Sequence, residues 1–272
     1  MALFQSAIYS QKLMLCTNVN VILSLPNVSN MEEGDQLRLP AAGEHYQVLW
    51  LLHCGTGDHN EFLRFTRIEE YAQKKQLAVV MPDAGNSYYC NLPYGGKYFD
   101  YYTEELPQIM QAIFPLSAKK EHNFIGGTSM GGFGAFAAAL RKPQQYAAAF
   151  SLSGGLDFRN VDFGPGLEEI QRNMQFTVCG DQDQYYDPHA HDLACMADDL
   201  LASGAKQPLL YAANGTDDPI TKEISPGPVA ALRAHGLDIT YFEESGAHGW
   251  DFWDPQLRRV LDWLPLADGF VD

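Results

Sequence analysis

Positive charge is in short supply in this sequence. Eighteen lysines and arginines stand against 34 aspartates and glutamates, a formal net charge of −16 over 272 residues. Such a surplus repels phosphate backbones and anionic lipid surfaces, so neither nucleic acid nor membrane is expected as a partner. A neutral small molecule is a more natural substrate than a strongly anionic one. Long apolar runs are missing too: none approaches the roughly 18 to 20 residues of a membrane span. Met1-Ala2-Leu3-Phe4-Gln5-Ser6 has no basic region followed by an apolar core, so no signal peptide is expected. Cysteine is sparse. Cys16, Cys54, Cys90, Cys179 and Cys195 are odd in number and scattered, as expected of reduced thiols in a cytoplasmic protein rather than a disulfide framework. Repeats, low-complexity tracts and linkers are absent, and the expectation is one domain over 1–272.

What is present is a core-forming α/β pattern. The 46% hydrophobic content is ordinary for a globular chain of this length. Ala7 to Leu25 reads as two antiparallel strands bending at Thr17-Asn18, and Asn27 to Gly43, with Pro26 and Pro40, as a loop. Gln47 to Leu52 is an apolar run expected of a strand buried on both faces. A helix is expected from about Glu61 to Lys75 and a strand from Leu77 to Met81. An aromatic loop follows, then a helix capped by Thr103 that ends near Pro115. Later strands are expected at Tyr146–Leu152, Pro208–Ala213 and Leu237–Glu243, and helices at His191–Ala202, before Gly236, and at Pro255–Leu264. Residues 153–207, with Gly164-Pro165-Gly166, are less regular and are the candidate lid excursion. Strands alternating with helices imply a mostly parallel sheet covered on both faces.

The most informative stretch is His122-Asn123-Phe124-Ile125-Gly126-Gly127-Thr128-Ser129-Met130-Gly131-Gly132-Phe133-Gly134. An apolar strand runs into G-x-S-x-G, and an alanine-rich helix leaves it. This is the form of a nucleophile elbow, a strand-to-helix turn that lifts a serine hydroxyl clear of the sheet. The Met130 amide, at the helix start, would point toward negative charge forming beside Ser129. A serine hydroxyl is too weakly acidic to attack unaided, so it needs a histidine base and a carboxylate to orient that base. The expected order is serine, acid, histidine, each after a strand. His248 follows the last strand in the glycine-flanked Gly246-Ala247-His248-Gly249. Asp218, in Gly215-Thr216-Asp217-Asp218, is the preferred acid, with Asp217 and then Asp183 as alternatives. His53-Cys54-Gly55 follows the third strand, whence a second oxyanion donor comes. Gly55 is read as that donor, with Cys54 the next candidate, while His53 is read as bonding the loop rather than as a base.

These elements together resemble the tributyrin esterase family, a relative of esterase D, S-formylglutathione hydrolase and the feruloyl and acetylxylan esterases. The resemblance rests on Leu51-Leu52-His53-x-Gly55-x-Gly57-Asp58-His59, Asn86-Ser87-Tyr88-Tyr89, Tyr102 to Pro107, Gly127 to Gly132, Gly215 to Asp218 and Gly246 to Trp253. It runs from about Ser10 to Pro265. It implies an α/β-hydrolase fold with at most a small lid insertion, cleavage of short-chain carboxylic esters, and Ser129, Asp218 and His248 as the catalytic triad. Cys54 stands where the family has glycine, and Pro219 where it has an aromatic residue. A homodimer is a family-level expectation.

Cys54, Tyr88, Tyr89 and Trp250 are the candidate substrate-binding residues, although the tyrosines also suit a core or a dimer surface, and Trp250 and Trp253 the packing of the last helix. His189-Ala190-His191-Asp192 lacks the three or four converging ligands of a metal site, and neither metal nor cofactor is expected. The expected activity is therefore a metal-independent serine esterase on a small-molecule ester. The alternatives are an S-formylglutathione hydrolase or other thioesterase, a feruloyl or acetylxylan esterase, and a catalytically silent hydrolase-fold binding protein.

Overall fold

The computed structural model describes residues 1–25, 38–160, 166, 168–222 and 224–272. Eight strands form one sheet: β1 (Ala2–Ser10), β2 (Leu15–Leu23), β3 (Gln47–Leu52), β4 (Leu77–Pro82), β5 (Asn123–Thr128), β6 (Ala148–Leu152), β7 (Leu209–Gly215) and β8 (Ile239–Glu244). Their spatial order is β1-β2-β4-β3-β5-β6-β7-β8. β1 and β2 pair antiparallel and β2 runs antiparallel to β4, whereas β4 through β8 are mutually parallel. Helices follow the strands: α1 (Glu61–Phe65), α2 (Ile68–Lys74), α3 (Tyr98–Asp100), α4 (Leu106–Ile113), α5 (Met130–Arg141), α6 (Glu168–Cys179), α7 (Pro188–His191), α8 (Leu193–Ser203), α9 (Pro226–Ala234) and α10 (Trp250–Trp263).

β3 shows why the central strands are mostly apolar. Val48, Trp50 and Leu52 enter one core with α4, α5, α8 and α9, and Leu49 and Leu51 enter the other with α1, α2 and α10. Alternate side chains of a strand point to opposite faces, so a sheet covered on both sides leaves few positions for polar residues, and Gln47, Asn123 and Asn214 are buried there with hydrogen-bond partners. None of the described helices is long and apolar enough to cross a membrane.

Several local expectations are corrected. The first hairpin turns at Gln11–Met14, and Thr17 and Asn18 lie inside β2 opposite Ile8 and Ala7. Leu13 imitates a strand residue because it is buried from within the turn, which Glu105 fastens by accepting the Gln11 amide at 2.7 Å. The helix expected over 61–75 breaks at Thr66, which is extended; Asp254 of α10 takes the freed Arg67 amide at 3.1 Å. Thr103 is no cap: it lies in a wide π turn (Tyr101–Glu105) joining α3 to α4 and donates to the Phe99 carbonyl. α10 starts at Trp250, with Pro255 inside it. The loop expected over 27–43 lies outside the described residues as far as residue 37, as do Gly164 and Pro165; residues 38–43 form neither strand nor helix.

The parallel strands place four loops at one end of the sheet. These follow β3, β5, β7 and β8, and each carries a candidate site residue.

Candidate active site

Ser129 sits between β5 and α5 with φ 52° and ψ −115°, a left-handed conformation that a non-glycine residue adopts only under constraint. The constraint is visible. Its amide donates to Leu152 O at 2.9 Å, and its carbonyl accepts the Gly132 amide at 3.0 Å. The turn is possible because Gly131 lets α5 approach β3: a Cβ there would lie 2.2 Å from Leu52 O.

His248 reaches Ser129 from the loop after β8. Its Nε2 is 3.0 Å from the Ser129 hydroxyl and its Nδ1 is 2.7 Å from Asp218 Oδ2. Because Asp218 accepts the Nδ1 proton, Nε2 is left to accept from Ser129. The edge of His248 packs against Trp253, with ring centroids 4.9 Å apart. Asp218 is fully buried at the end of the β7 loop. Its Oδ1 accepts the Ile220 and Thr221 amides at 2.9 Å each, and Thr221 Oγ1 lies 2.6 Å from Oδ2. Burial alone would raise this carboxyl, but His248 and Thr221 outweigh it and hold the pKa at about 2.

The two other acid candidates are elsewhere. Asp217 binds the Ser245 hydroxyl, and Asp183 pairs with Arg159.

The loop after β3 is organised around His53, which is buried and kept neutral by that burial. Ala84 N–H donates to its Nε2 at 2.9 Å, and its Nδ1–H donates to Cys54 O at 2.7 Å. The Cys54 amide is taken by Glu61 Oε2 at 2.9 Å. No hydrogen bond is found from the Gly55 or Met130 amides among the described residues, and both residues line the cavity over Ser129. Burial and the adjacent Glu61 push the Cys54 thiol well above its ordinary value, which keeps it protonated and a poor nucleophile.

That cavity holds about 650 Å³ and is lined by Cys54, Gly55, Tyr88, Ser129, Met130, His248 and Trp253, with Ile170, Asn173, Met174 and Thr177 of α6 opposite. Of the aromatic residues expected there, Tyr88 lines it and donates to Gly155 O at 3.2 Å. Tyr89 does not: it is buried beneath the elbow, its hydroxyl on His53 O at 3.1 Å. Trp250 does not either, because it stacks on Phe65 and meets Phe62 edge-on. Trp253 takes that place. The wall from α6 escaped the sequence reading, although Ile170, Met174 and Thr177 recur at helical spacing.

Among the described residues no group of His, Cys, Asp and Glu could hold a metal ion. His189 pairs with Asp199, and His191 Nδ1 accepts the Asp187 amide.

A family model described as Putative esterase matches residues 18–264. An acetyl esterase of Caldicellulosiruptor saccharolyticus is 27% identical over 271 residues, covering 97% of this chain and 98% of that protein. Among solved structures, FphF, a fluorophosphonate-binding serine hydrolase of Staphylococcus aureus, aligns with a TM-score of 0.81 and 26% identity, over 98% of this chain and 99% of that one. The S-formylglutathione hydrolase FrmB of Staphylococcus aureus aligns with a TM-score of 0.76 and 26% identity, over 97% and 98%. The sheet described above is the α/β-hydrolase fold of these serine hydrolases. Because the family match runs from within β2 to just past α10 and takes in every loop that meets at Ser129, this chain belongs to the esterase family and is an enzyme acting on ester bonds.

Proposed function

We propose that the protein is a serine carboxylesterase for neutral esters of short acyl chains. The observation that carries this reading is the unbroken chain from Ser129 through His248 to the buried Asp218, at 3.0 and 2.7 Å. Ser129 Oγ attacks the ester carbonyl while His248 Nε2 takes its proton. Asp218 holds the imidazole in one tautomer and balances the charge it acquires. The Gly55 and Met130 amides receive the oxyanion of the tetrahedral intermediate; losing one such donor costs about a hundredfold or more in turnover. His248 then protonates the departing alcohol, activates a water against the acyl-enzyme, and the acid leaves.

The substrate class follows from the cavity. Among the described residues no lysine, arginine, aspartate or glutamate lines it, and its α6 wall offers Ile170 and Met174. An apolar acyl group suits such a wall, and a substrate bearing carboxylates finds no lysine or arginine among these described residues to pair with. This favours simple acyl esters over the glutathione thioester that the FrmB relative hydrolyses.

The test is hydrolysis of p-nitrophenyl acetate and butyrate by wild type and Ser129→Ala, with fluorophosphonate labelling followed by mass. The expected outcome is a single adduct on Ser129 and loss of turnover in the variant. Turnover retained by Ser129→Ala would refute the assignment, and an unlabelled wild type would point to a silent binding protein.

A further inference from the structure

We propose that Glu61 is a positioning residue for catalysis: its buried carboxylate clamps Cys54 and so presents the Gly55 amide to the oxyanion. The proposal rests on Ser129 as nucleophile and Gly55 as donor.

Glu61 is the first residue of α1, yet it is 8% exposed and forms no ion pair among the described residues. A carboxylate buried without a cation is costly, so its hydrogen bonds must hold it in place. It does not cap its own helix. Both its oxygens go instead to one residue outside the helix: Oε2 accepts the Cys54 amide and Oε1 the Cys54 thiol, each at 2.9 Å. The loop is folded tightly around the carboxylate, since a Cβ at Gly57 would come within 2.5 Å of its carbon and both its oxygens. Burial raises the pKa of Glu61, and the bonds from Cys54 oppose that rise.

The consequence falls on the next peptide group. The Cys54 carbonyl accepts from His53 Nδ1 at 2.7 Å and from the Gly57 amide at 3.2 Å, and the His53 carbonyl accepts from Tyr89. With the Cys54 N–H fixed by Glu61, the plane that carries the Gly55 N–H is set from both sides. Hydrogen bonds accepted at the Cys54 carbonyl also polarise the Gly55 N–H, which belongs to the same amide. Oxyanion stabilisation depends on donors that need no rearrangement during reaction, and a fixed loop supplies that.

The test compares Glu61→Gln, Glu61→Ala and Ser129→Ala with wild type on p-nitrophenyl butyrate. It also measures binding of a trifluoromethyl ketone, which forms the tetrahedral oxyanion, and of a non-reactive ketone of the same length. Glutamine keeps one oxygen for the Cys54 amide, so Glu61→Gln is expected within about threefold of wild-type kcat. Glu61→Ala is expected to lose about 10- to 100-fold in kcat, to weaken the trifluoromethyl ketone by the same factor, and to leave KM and the non-reactive ketone nearly unchanged. Should Glu61→Ala fail to fold, Glu61→Asp, whose carboxylate falls short of Cys54, is expected to show the same loss. Wild-type kcat in Glu61→Ala or Glu61→Asp, or equal weakening of both ketones, would overturn the clamp. Activity surviving in Ser129→Ala would overturn the underlying reading instead, so the two failures are distinguishable.

Discussion

The carboxylates of Asp217 and Asp218, adjacent in sequence, are committed to different partners within the one loop that follows β8. Asp218 is buried with Oδ2 2.7 Å from His248 Nδ1, whereas Asp217 Oδ2 accepts the Ser245 hydroxyl at 2.9 Å and the Gly246 amide at 3.2 Å. Gly215 allows this join, because a Cβ there would lie 2.1 Å from Gly246 O. One aspartate therefore orients the imidazole, and its neighbour ties the loop that carries the imidazole to the loop that carries the acid.

The pair should separate kinetically. Asp218→Asn is expected to lower kcat by about 10⁴-fold, because an amide facing Nδ1 favours the wrong tautomer. Asp217→Asn keeps one acceptor for Gly246 and is expected to cost less than about tenfold in kcat, with about 1 kcal/mol of stability. Steady-state kinetics and urea unfolding of both variants check this, and equal losses in kcat would reverse the assignment.

Asp218 also makes stability depend on acid. Its folded pKa of about 2 lies below the unfolded value, so the stabilisation is complete above about pH 4 and is lost as pH falls through 2. The difference corresponds to about 2 kcal/mol. His248→Ala removes the first hydrogen-bonded partner holding that value down. Its stability deficit against wild type, measured by denaturant unfolding, is expected to be largest near neutral pH and to shrink between pH 4 and pH 2.

Acyl length should report the α6 wall. Each methylene buried contributes about 0.8 kcal/mol, so kcat/KM is expected to rise about fourfold per carbon from acetate until the cavity is full. Met174→Trp fills the space opposite Ser129; it is expected to lower kcat/KM for octanoate by about tenfold or more and for acetate by less than about threefold. A uniform loss across an acetyl-to-octanoyl series would place the acyl chain elsewhere.

At the elbow, helix propensity and packing oppose each other. Alanine is the better helix former by about 1 kcal/mol, but at Gly131 its Cβ would meet Leu52 O at 2.2 Å. Packing against a backbone carbonyl wins, because β3 cannot yield. Gly131→Ala is expected to destabilise by about 1–3 kcal/mol, seen as a lower urea midpoint at unchanged slope.

Much of the site is legible in the sequence because its signals are local. The strand, G-x-S-x-G and alanine-rich helix around Ser129 lie within one stretch, and His248 follows the last strand in a glycine-flanked loop. Where a signal had two readings, the sequence pointed the right way for Asp218 and His53 and the wrong way for three others. Leu13 looks like strand because it is buried, Thr103 looks like a cap because threonine favours caps, and Trp250 looks like a pocket residue because it is two positions from His248.

The sequence by itself determined the central strands, the helix after Ser129 and their order, since apolar periodicity and turn residues act over a few neighbours. It pointed as well to the loops that carry Ser129, Asp218 and His248. Only the tertiary structure decided between Asp217 and Asp218, put Trp253 rather than Trp250 beside His248, brought α6 over Ser129, and turned Glu61 back onto Cys54. The pairing of Asp218 with His248 and the placing of α6 depend on close approach of segments far apart in the chain, which glycines at 131 and 215 permit, and in the two nearer pairs packing and hydrogen-bond geometry select one partner.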